Sequence, residues 1–148
     1  METATTQLTI YLIDDDPDHT LIITRAIRQT SPGVQVQTVD DGEAALVLLH
    51  QAEELPDLIL LDINMAGLSG FDVLTQLKGD ARLGLVPVVM LTSSELASDV
   101  ARAYELGASG YISKPSYLHD VRAVLGNTLL YWSAMKRSTQ ASERTAEA

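Results

Sequence analysis

Carboxylate, hydroxyl and amine side chains follow four apolar segments of the chain, each of which has the composition of a β-strand. Three successive aspartates (residues 14–16) follow the first of these segments, Asp62 follows the second, Thr92 the third and Lys114 the fourth. In an open parallel α/β sheet, ligands bind at the carboxyl ends of the strands. Carboxylates suit Mg²⁺, and a hydroxyl and an amine can contact phosphoryl oxygens. The spacing therefore predicts one site for a metal ion and a phosphoryl group.

The elements that must position these residues alternate regularly along the sequence. The predicted strands are 8–13, 34–39, 57–61, 86–91 and 109–112. Two predicted helices begin near residues 17 and 42, and three more span about 70–78, 95–106 and 116–137. Three of the strands are almost continuously apolar, as expected when helices cover both faces of a sheet, whereas 34–39 alternates and reads as an edge strand. Short connections predict a doubly wound α/β fold with a five-stranded parallel sheet in the order 2-1-3-4-5.

Composition limits the classes of partner. The chain has 148 residues, a formal net charge of −10 and no cysteine. The negative charge argues against nucleic acid or an anionic membrane as a main partner. No apolar segment has the length of a membrane span, and the N-terminus lacks the features of a signal peptide. A cytoplasmic protein without disulfides is expected.

Four short motifs, in the same order and on the expected strands, resemble the receiver domain of two-component response regulators. The resemblance covers about residues 7–130 and implies a flavodoxin-like (βα)5 fold. The residues that carry it are Asp14 with Asp15, Asp62, Thr92, Lys114 with Pro115, and the aromatic Tyr111.

The resemblance implies a role for each matching residue. Asp62 would be the phosphoacceptor and a metal ligand, Asp15 would bind Mg²⁺ directly, and Asp14 would bind it through water. The backbone carbonyl of Asn64 would complete the protein ligands. A sensor histidine kinase would donate the phosphoryl group, and the protein would catalyse only its own phosphorylation and dephosphorylation.

The resemblance also implies a conformational switch. Thr92 and Lys114 would contact the phosphoryl group, and Tyr111 would turn inward, remodelling the face formed by the fourth helix, fifth strand and fifth helix. Asn64 and Ser94 occupy positions that tune the lifetime of the phosphate. The sequence departs from the family at Ala66, where proline is frequent, and at Ser116, where an apolar residue is frequent; neither change removes a ligand.

The C-terminal segment predicts an interface and a tail. A receiver domain is expected over 1–137, followed by a disordered polar tail over 138–148. The fifth helix carries two apolar stripes where one would suffice to cover a sheet face. The second stripe covers either an edge of the domain or a subunit interface; we favour a homodimer in which Tyr131, Trp132 and Met135 take part. The long aromatic helix is similar to that of small response regulators paired with bacterial phytochromes.

Three other functions compete with that of a phosphorylated receiver domain. A receiver-like module that binds proteins without phosphorylation would need only the fold. A haloacid-dehalogenase-type phosphatase would use Asp14 as nucleophile and leave Asp62 unexplained. A flavin-binding protein would need a phosphate-binding loop rich in small residues after the first strand, whereas this loop is acidic. The three histidines, His19, His50 and His119, are expected at the surface without a metal site.

Overall fold

A computed structural model describes residues 7–114 and 118–147, with side chains up to residue 114 and from 120 to 136. Strands and helices alternate along the chain, with one short 3-10 turn at Leu83–Leu85 before the fourth strand. The strands are β1 (Thr9–Ile13), β2 (Gln35–Val39), β3 (Leu58–Leu61), β4 (Val88–Thr92) and β5 (Gly110–Ser113). The helices are α1 (Pro17–Thr30), α2 (Gly42–Gln51), α3 (Gly70–Lys78), α4 (Ala97–Glu105) and α5 (Leu118–Glu147).

The sheet has the predicted topology. Its five strands pair in the order β2-β1-β3-β4-β5, and every pairing is parallel. The alternating strand is an edge strand, as predicted, while the four residues of β3 are all buried. Strands β1 and β3 are neighbours in the sheet, although β2 lies between them in sequence. The connections on the two sides of β1 therefore run in opposite directions across the sheet, which leaves a crevice at the carboxyl ends of β1 and β3.

Alternate residues of the central strands face two separate apolar cores. Ile59 and Leu61 belong to a core shared with α2, α3 and α4, and Leu58 and Leu60 to a core shared with α1 and α5. The period of two along a strand produces this division. The stripe Val121, Leu125 and Leu129 of α5 is buried in the second core, as its spacing predicted.

Most element boundaries differ from the sequence predictions by one or two residues, and the end of α5 differs by more. Helix α4 begins at Ala97 rather than residue 95. Helix α5 continues to Glu147, so the predicted helix end at 137 and the predicted disordered tail over 138–148 are wrong for the described backbone. The segment lacks branched aliphatic residues but also lacks glycine and proline, and its alanine, glutamate, arginine and glutamine are good helix formers. A preformed helix extends easily through such residues, because nucleation has already occurred.

Candidate functional site

The aspartates that follow β1 and β3 meet in the crevice. Ile13 pairs with Leu61 in the sheet, and the Asp62 backbone N–H donates to the Ile13 carbonyl at 3.0 Å. This register places Asp62 directly beside Asp14, and both side chains are buried. One carboxylate oxygen from each of Asp14, Asp15 and Asp62 lies within 4.8 Å of the others. The predicted acidic cluster is therefore a single three-carboxylate group.

Hydrogen bonds within the loops fix the directions of these carboxylates. The Asp14 Oδ1 atom accepts from the Asp16 backbone N–H at 3.0 Å, and the Asp15 Oδ2 atom accepts from the Ala66 N–H at 2.9 Å. Asp16 faces the other way and caps α1, accepting from the N–H groups of Asp18 and His19. The three aspartates thus divide into two that face the crevice and one that begins the helix.

Lys114 joins the two buried carboxylates. Its Nζ atom lies 2.6 Å from Asp14 Oδ2 and 3.2 Å from Asp62 Oδ2, and its side chain is only 8% exposed. Burial raises the pKa of Asp14, and the hydrogen bond from Lys114 lowers it again in part. The ammonium therefore offsets the cost of holding two carboxylates together in a dry crevice.

One oxygen of Asp62 remains unpaired. Asp62 Oδ1 is buried and has no hydrogen-bond partner among the described residues. A buried charged oxygen without a partner is costly, and such an atom requires a functional explanation. The carboxylates of Asp14, Asp15 and Asp62 together offer the hard oxygen ligands that divalent cations such as Mg²⁺ and Mn²⁺ prefer. The residues present fit a divalent metal.

Gly70, a residue that the sequence did not single out for the site, lets α3 begin against the backbone of Asp62. A Cβ atom at position 70 would lie 2.1 Å from the Asp62 carbonyl oxygen and 2.8 Å from Ile63 Cα. The Gly70 N–H also donates to the Ile63 carbonyl at 2.8 Å. The backbone that carries Asp62 is therefore held by a contact that only glycine permits.

Thr92 lies at the carboxyl end of β4 and is fully buried. The Lys114 N–H donates to the Thr92 carbonyl at 2.7 Å, and the Ser94 N–H donates to Thr92 Oγ1 at 3.4 Å. The structure therefore brings Thr92 next to Lys114, on the sheet edge where Asp62 ends the neighbouring strand β3. It is a strand residue rather than a helix cap.

Tyr111 and Ser94 are connected to each other and to α4. The half-buried Tyr111 hydroxyl donates to the Ser94 carbonyl at 3.0 Å, and Ser94 Oγ donates to Asp99 Oδ2 in the first turn of α4. A displacement of the loop after Thr92 would therefore change hydrogen bonds to both α4 and β5. Asn64 is exposed on the loop after Asp62, and the roles assigned to it stay predictions.

His19 is more specifically placed than a surface residue. Its Nδ1 atom lies 3.0 Å from Lys114 Nζ and 3.3 Å from Asp16 Oδ2. The expectation of a simple surface histidine is therefore incomplete for His19, because the capped first turn of α1 directs it toward a residue 95 positions away. By contrast, His50 is exposed near Asp80, and the side chain of His119 lies outside the described residues.

The three residues predicted for a subunit interface have different environments. Tyr131 and Met135 are exposed, whereas Trp132 packs against the core shared with α1. The rings of Tyr131 and Trp132 meet edge to face with centroids 5.0 Å apart. The exposed tyrosine of α5 therefore packs against a partly buried tryptophan of the same helix.

Comparison with known proteins identifies the family of this chain. Residues 10–125 match the family described as response regulator receiver domain, and the chain belongs to this family. "Probable methanogenesis regulatory protein FilR2" of Methanothrix harundinacea is 33% identical over 133 residues, which cover 87% of this chain and 86% of the relative.

Two solved structures are also similar. The phosphorylated cyanobacterial phytochrome response regulator RcpA has a TM-score of 0.80 and 30% identity, covering 85% of this chain and 94% of RcpA. The Mn²⁺-bound form of response regulator Rcp1, a protein of Synechocystis, has a TM-score of 0.76 and 28% identity, covering 84% and 94%. Among the described helices of the present chain, none is both long and apolar enough to cross a membrane.

Proposed function

We propose that this chain is a response regulator that accepts a phosphoryl group on Asp62 from a sensor histidine kinase in a Mg²⁺-dependent reaction. The observation that carries the assignment is the difference between the two buried carboxylates. Both oxygens of Asp14 accept hydrogen bonds, from Asp16 and from Lys114, while Asp62 Oδ1 is unpaired. An unpaired carboxylate oxygen is the better nucleophile, which favours Asp62 and disfavours a phosphatase that attacks through Asp14.

The proposed reaction is a phosphoryl transfer with little covalent work for the protein. An Asp62 oxygen forms a bond to phosphorus, the P–N bond of the kinase phosphohistidine breaks, and the imidazole nitrogen leaves with the electron pair. Asp14, Asp15, Asp62 and the Asn64 carbonyl would hold Mg²⁺, which supplies charge neutralisation for the phosphoryl oxygens. Lys114 and Thr92 would contact the same oxygens, and the chain acts only on itself.

Beryllium fluoride, which imitates a phosphoryl group on aspartate, tests the proposed site without any kinase. We expect fluorine NMR to show a bound species that requires Mg²⁺ and that disappears in the Asp62→Asn variant. The Asp80→Asn variant is the matched control, because Asp80 accepts from the backbone N–H groups of Arg82 and Leu83 before β4, at the opposite end of the sheet from the carboxylates. Binding that persists in Asp62→Asn would overturn the assignment.

The output of the proposed switch is the face formed by α4, β5 and α5. The link from Thr92 through Ser94 to Tyr111 and Asp99 supports this choice, because it joins the phosphoryl-binding end of β4 to both α4 and β5. We propose that contact of Thr92 with the phosphoryl group moves this loop and rotates Tyr111 inward. Regulation by a phytochrome-type kinase is the proposed biological setting, supported by the likeness to RcpA.

The exposed apolar residues of α5 support a homodimer. Leu130, Tyr131 and Met135 are all exposed, and Tyr131 and Met135, four residues apart, share one side of the helix. We expect a dimer in analytical ultracentrifugation at high micromolar concentration, weakened by Tyr131→Lys because a charge would enter an apolar interface. Leu85→Lys, at a more exposed position on the 3-10 turn, is the control and should not change the sedimentation coefficient. A monomeric wild-type protein would contradict the dimer.

A further inference from the structure

Lys114 has three close acceptors, and the third is not a carboxylate. An ammonium group carries three protons and can only donate. Asp14 Oδ2 at 2.6 Å and Asp62 Oδ2 at 3.2 Å accept two of these protons, and His19 Nδ1 at 3.0 Å lies within reach of the third. The Lys114 side chain is only 8% exposed, and His19, with 40% of its side chain exposed, is the one of the three acceptors that solvent reaches appreciably. All three protons of the buried ammonium are thus accounted for by protein atoms.

The contact bears on which nitrogen of His19 carries a proton. Nδ1 can accept from Lys114 only if it carries no proton, so an accepting His19 would be the tautomer with its proton on Nε2. Asp16 Oδ2, at 3.3 Å from the same Nδ1 atom, makes the opposite demand, because a carboxylate can only accept. The other described side chains that share the adjoining space come from α1, β4 and α5 and include Ile22, Leu91 and Val124, none of which titrates.

We propose that His19 is a positioning residue that accepts the third hydrogen bond of the Lys114 ammonium and holds it between Asp14 and Asp62. The role rests on the proposed function, since Lys114 matters for phosphorylation only if Asp62 is the phosphoacceptor. With three acceptors in fixed directions, the ammonium keeps its place when the charge on Asp62 changes. With two, it is free to follow either carboxylate.

The local sequence explains how a helix residue reaches this place. Asp16 caps α1 and its Oδ1 atom accepts from the Asp18 and His19 N–H groups, which fixes the first helical turn. His19 stands in that turn, beside the loop that carries Asp14. A carboxylate at position 19 would also accept from Lys114 but would add a further negative charge to the three-carboxylate group; a neutral imidazole adds an acceptor without that cost.

The first test reads the His19 tautomer directly and needs no phosphorylation. Nitrogen chemical shifts of the full-length protein, at a pH above the ordinary titration range of histidine, distinguish a protonated from an unprotonated Nδ1. We expect an unprotonated Nδ1 in the wild-type protein. In Lys114→Met we expect the proton to move to Nδ1, because Asp16 Oδ2 is then its nearest partner. A protonated Nδ1 in the wild type, or identical shifts in both proteins, would overturn the proposal.

The second test compares two replacements of His19. Asparagine places an amide oxygen near the position of Nδ1, whereas leucine removes the acceptor but keeps the volume. We expect His19→Leu to slow Mg²⁺-dependent phosphorylation by acetyl phosphate about fivefold, as for loss of one ordinary hydrogen bond, and His19→Asn to restore most of the rate.

Combining His19→Leu with Lys114→Met separates positioning from simple packing. If His19 acts through Lys114, His19→Leu should have no further effect on the free energy of unfolding once Lys114 is replaced. Equal effects in both backgrounds would show a packing role and overturn the proposal. If the wild type accepted no phosphoryl group, the proposed function would fail, while the tautomer and the unfolding measurements would still decide the role of His19.

Discussion

Replacing Gly70 with alanine should both destabilise the protein and abolish ligand binding at Asp62. The added methyl group would lie 2.1 Å from the Asp62 carbonyl oxygen, which is backbone and cannot rotate away. Relief requires α3 and the Asp62 loop to separate. We expect a loss of about 3 kcal/mol in the free energy of unfolding, the upper part of the range for overpacked interiors. Beryllium fluoride affinity should fall at least as strongly, because the displaced backbone carries the phosphoacceptor.

Gly126→Ala provides the matched control for this variant. Gly126 also lies in a helix, but an added Cβ would meet the Thr30 side chain at 3.8 Å, an ordinary contact. Alanine is preferred over glycine inside helices, so Gly126→Ala should be neutral or stabilising by up to about 1 kcal/mol. Urea unfolding of the two variants measures the difference. A Gly70→Ala protein as stable as the wild type would show that the Asp62 backbone is not held in the way described.

Among substitutions that remove a single charge, Lys114→Met should destabilise the protein most. It would leave Asp14 and Asp62 side by side, buried and without a cation. Removing one partner of a buried ion pair typically costs roughly 3 kcal/mol or more. The loss of stability should be smaller in saturating Mg²⁺, because the metal would neutralise the same carboxylates. Urea unfolding at neutral pH, with Mg²⁺ or with a chelator, measures both effects.

Lys136→Met tests whether these effects belong to the site. Lys136 Nζ pairs with Asp57 Oδ2 at 2.9 Å, but the Lys136 side chain is 23% exposed, so its loss should cost only about 1 kcal/mol. This pair joins α5 to the segment before β3, at the end of the sheet opposite the carboxylates, and should show no Mg²⁺ dependence. Equal Mg²⁺ dependence in both variants would argue against a metal site beside Lys114.

The strand pattern was sufficient to predict the sheet and the meeting of the central residues. A continuous apolar segment followed by a charged or hydroxyl residue is a strong local signal for a strand whose carboxyl end contributes to a site. The parallel topology brings these carboxyl ends to the same edge of the sheet, whatever the conformation of the loops. Asp14, Asp62 and Lys114 therefore converge as predicted. Tyr111 and Ser94 were assigned by resemblance, and the structure adds the hydrogen bond that joins them.

Other features depend on contacts that a linear pattern does not contain. The importance of Gly70 follows from the approach of α3 to the Asp62 backbone, and the place of His19 follows from the direction in which Asp16 caps α1. Neither feature produces a periodic pattern in the sequence. The extension of α5 to Glu147 has a different explanation. Low hydrophobicity after residue 137 predicts disorder, but the same residues have good helix propensity and continue the helix.

The mass of the intact protein after incubation with Mg²⁺ and acetyl phosphate tests the central claim most directly. We expect a gain of one phosphoryl group that requires Mg²⁺, is absent in Asp62→Asn and is retained in Asp80→Asn. A phosphoryl group that still appears in Asp62→Asn, or a wild-type protein that neither gains mass nor binds beryllium fluoride, would contradict the assignment of Asp62 as phosphoacceptor.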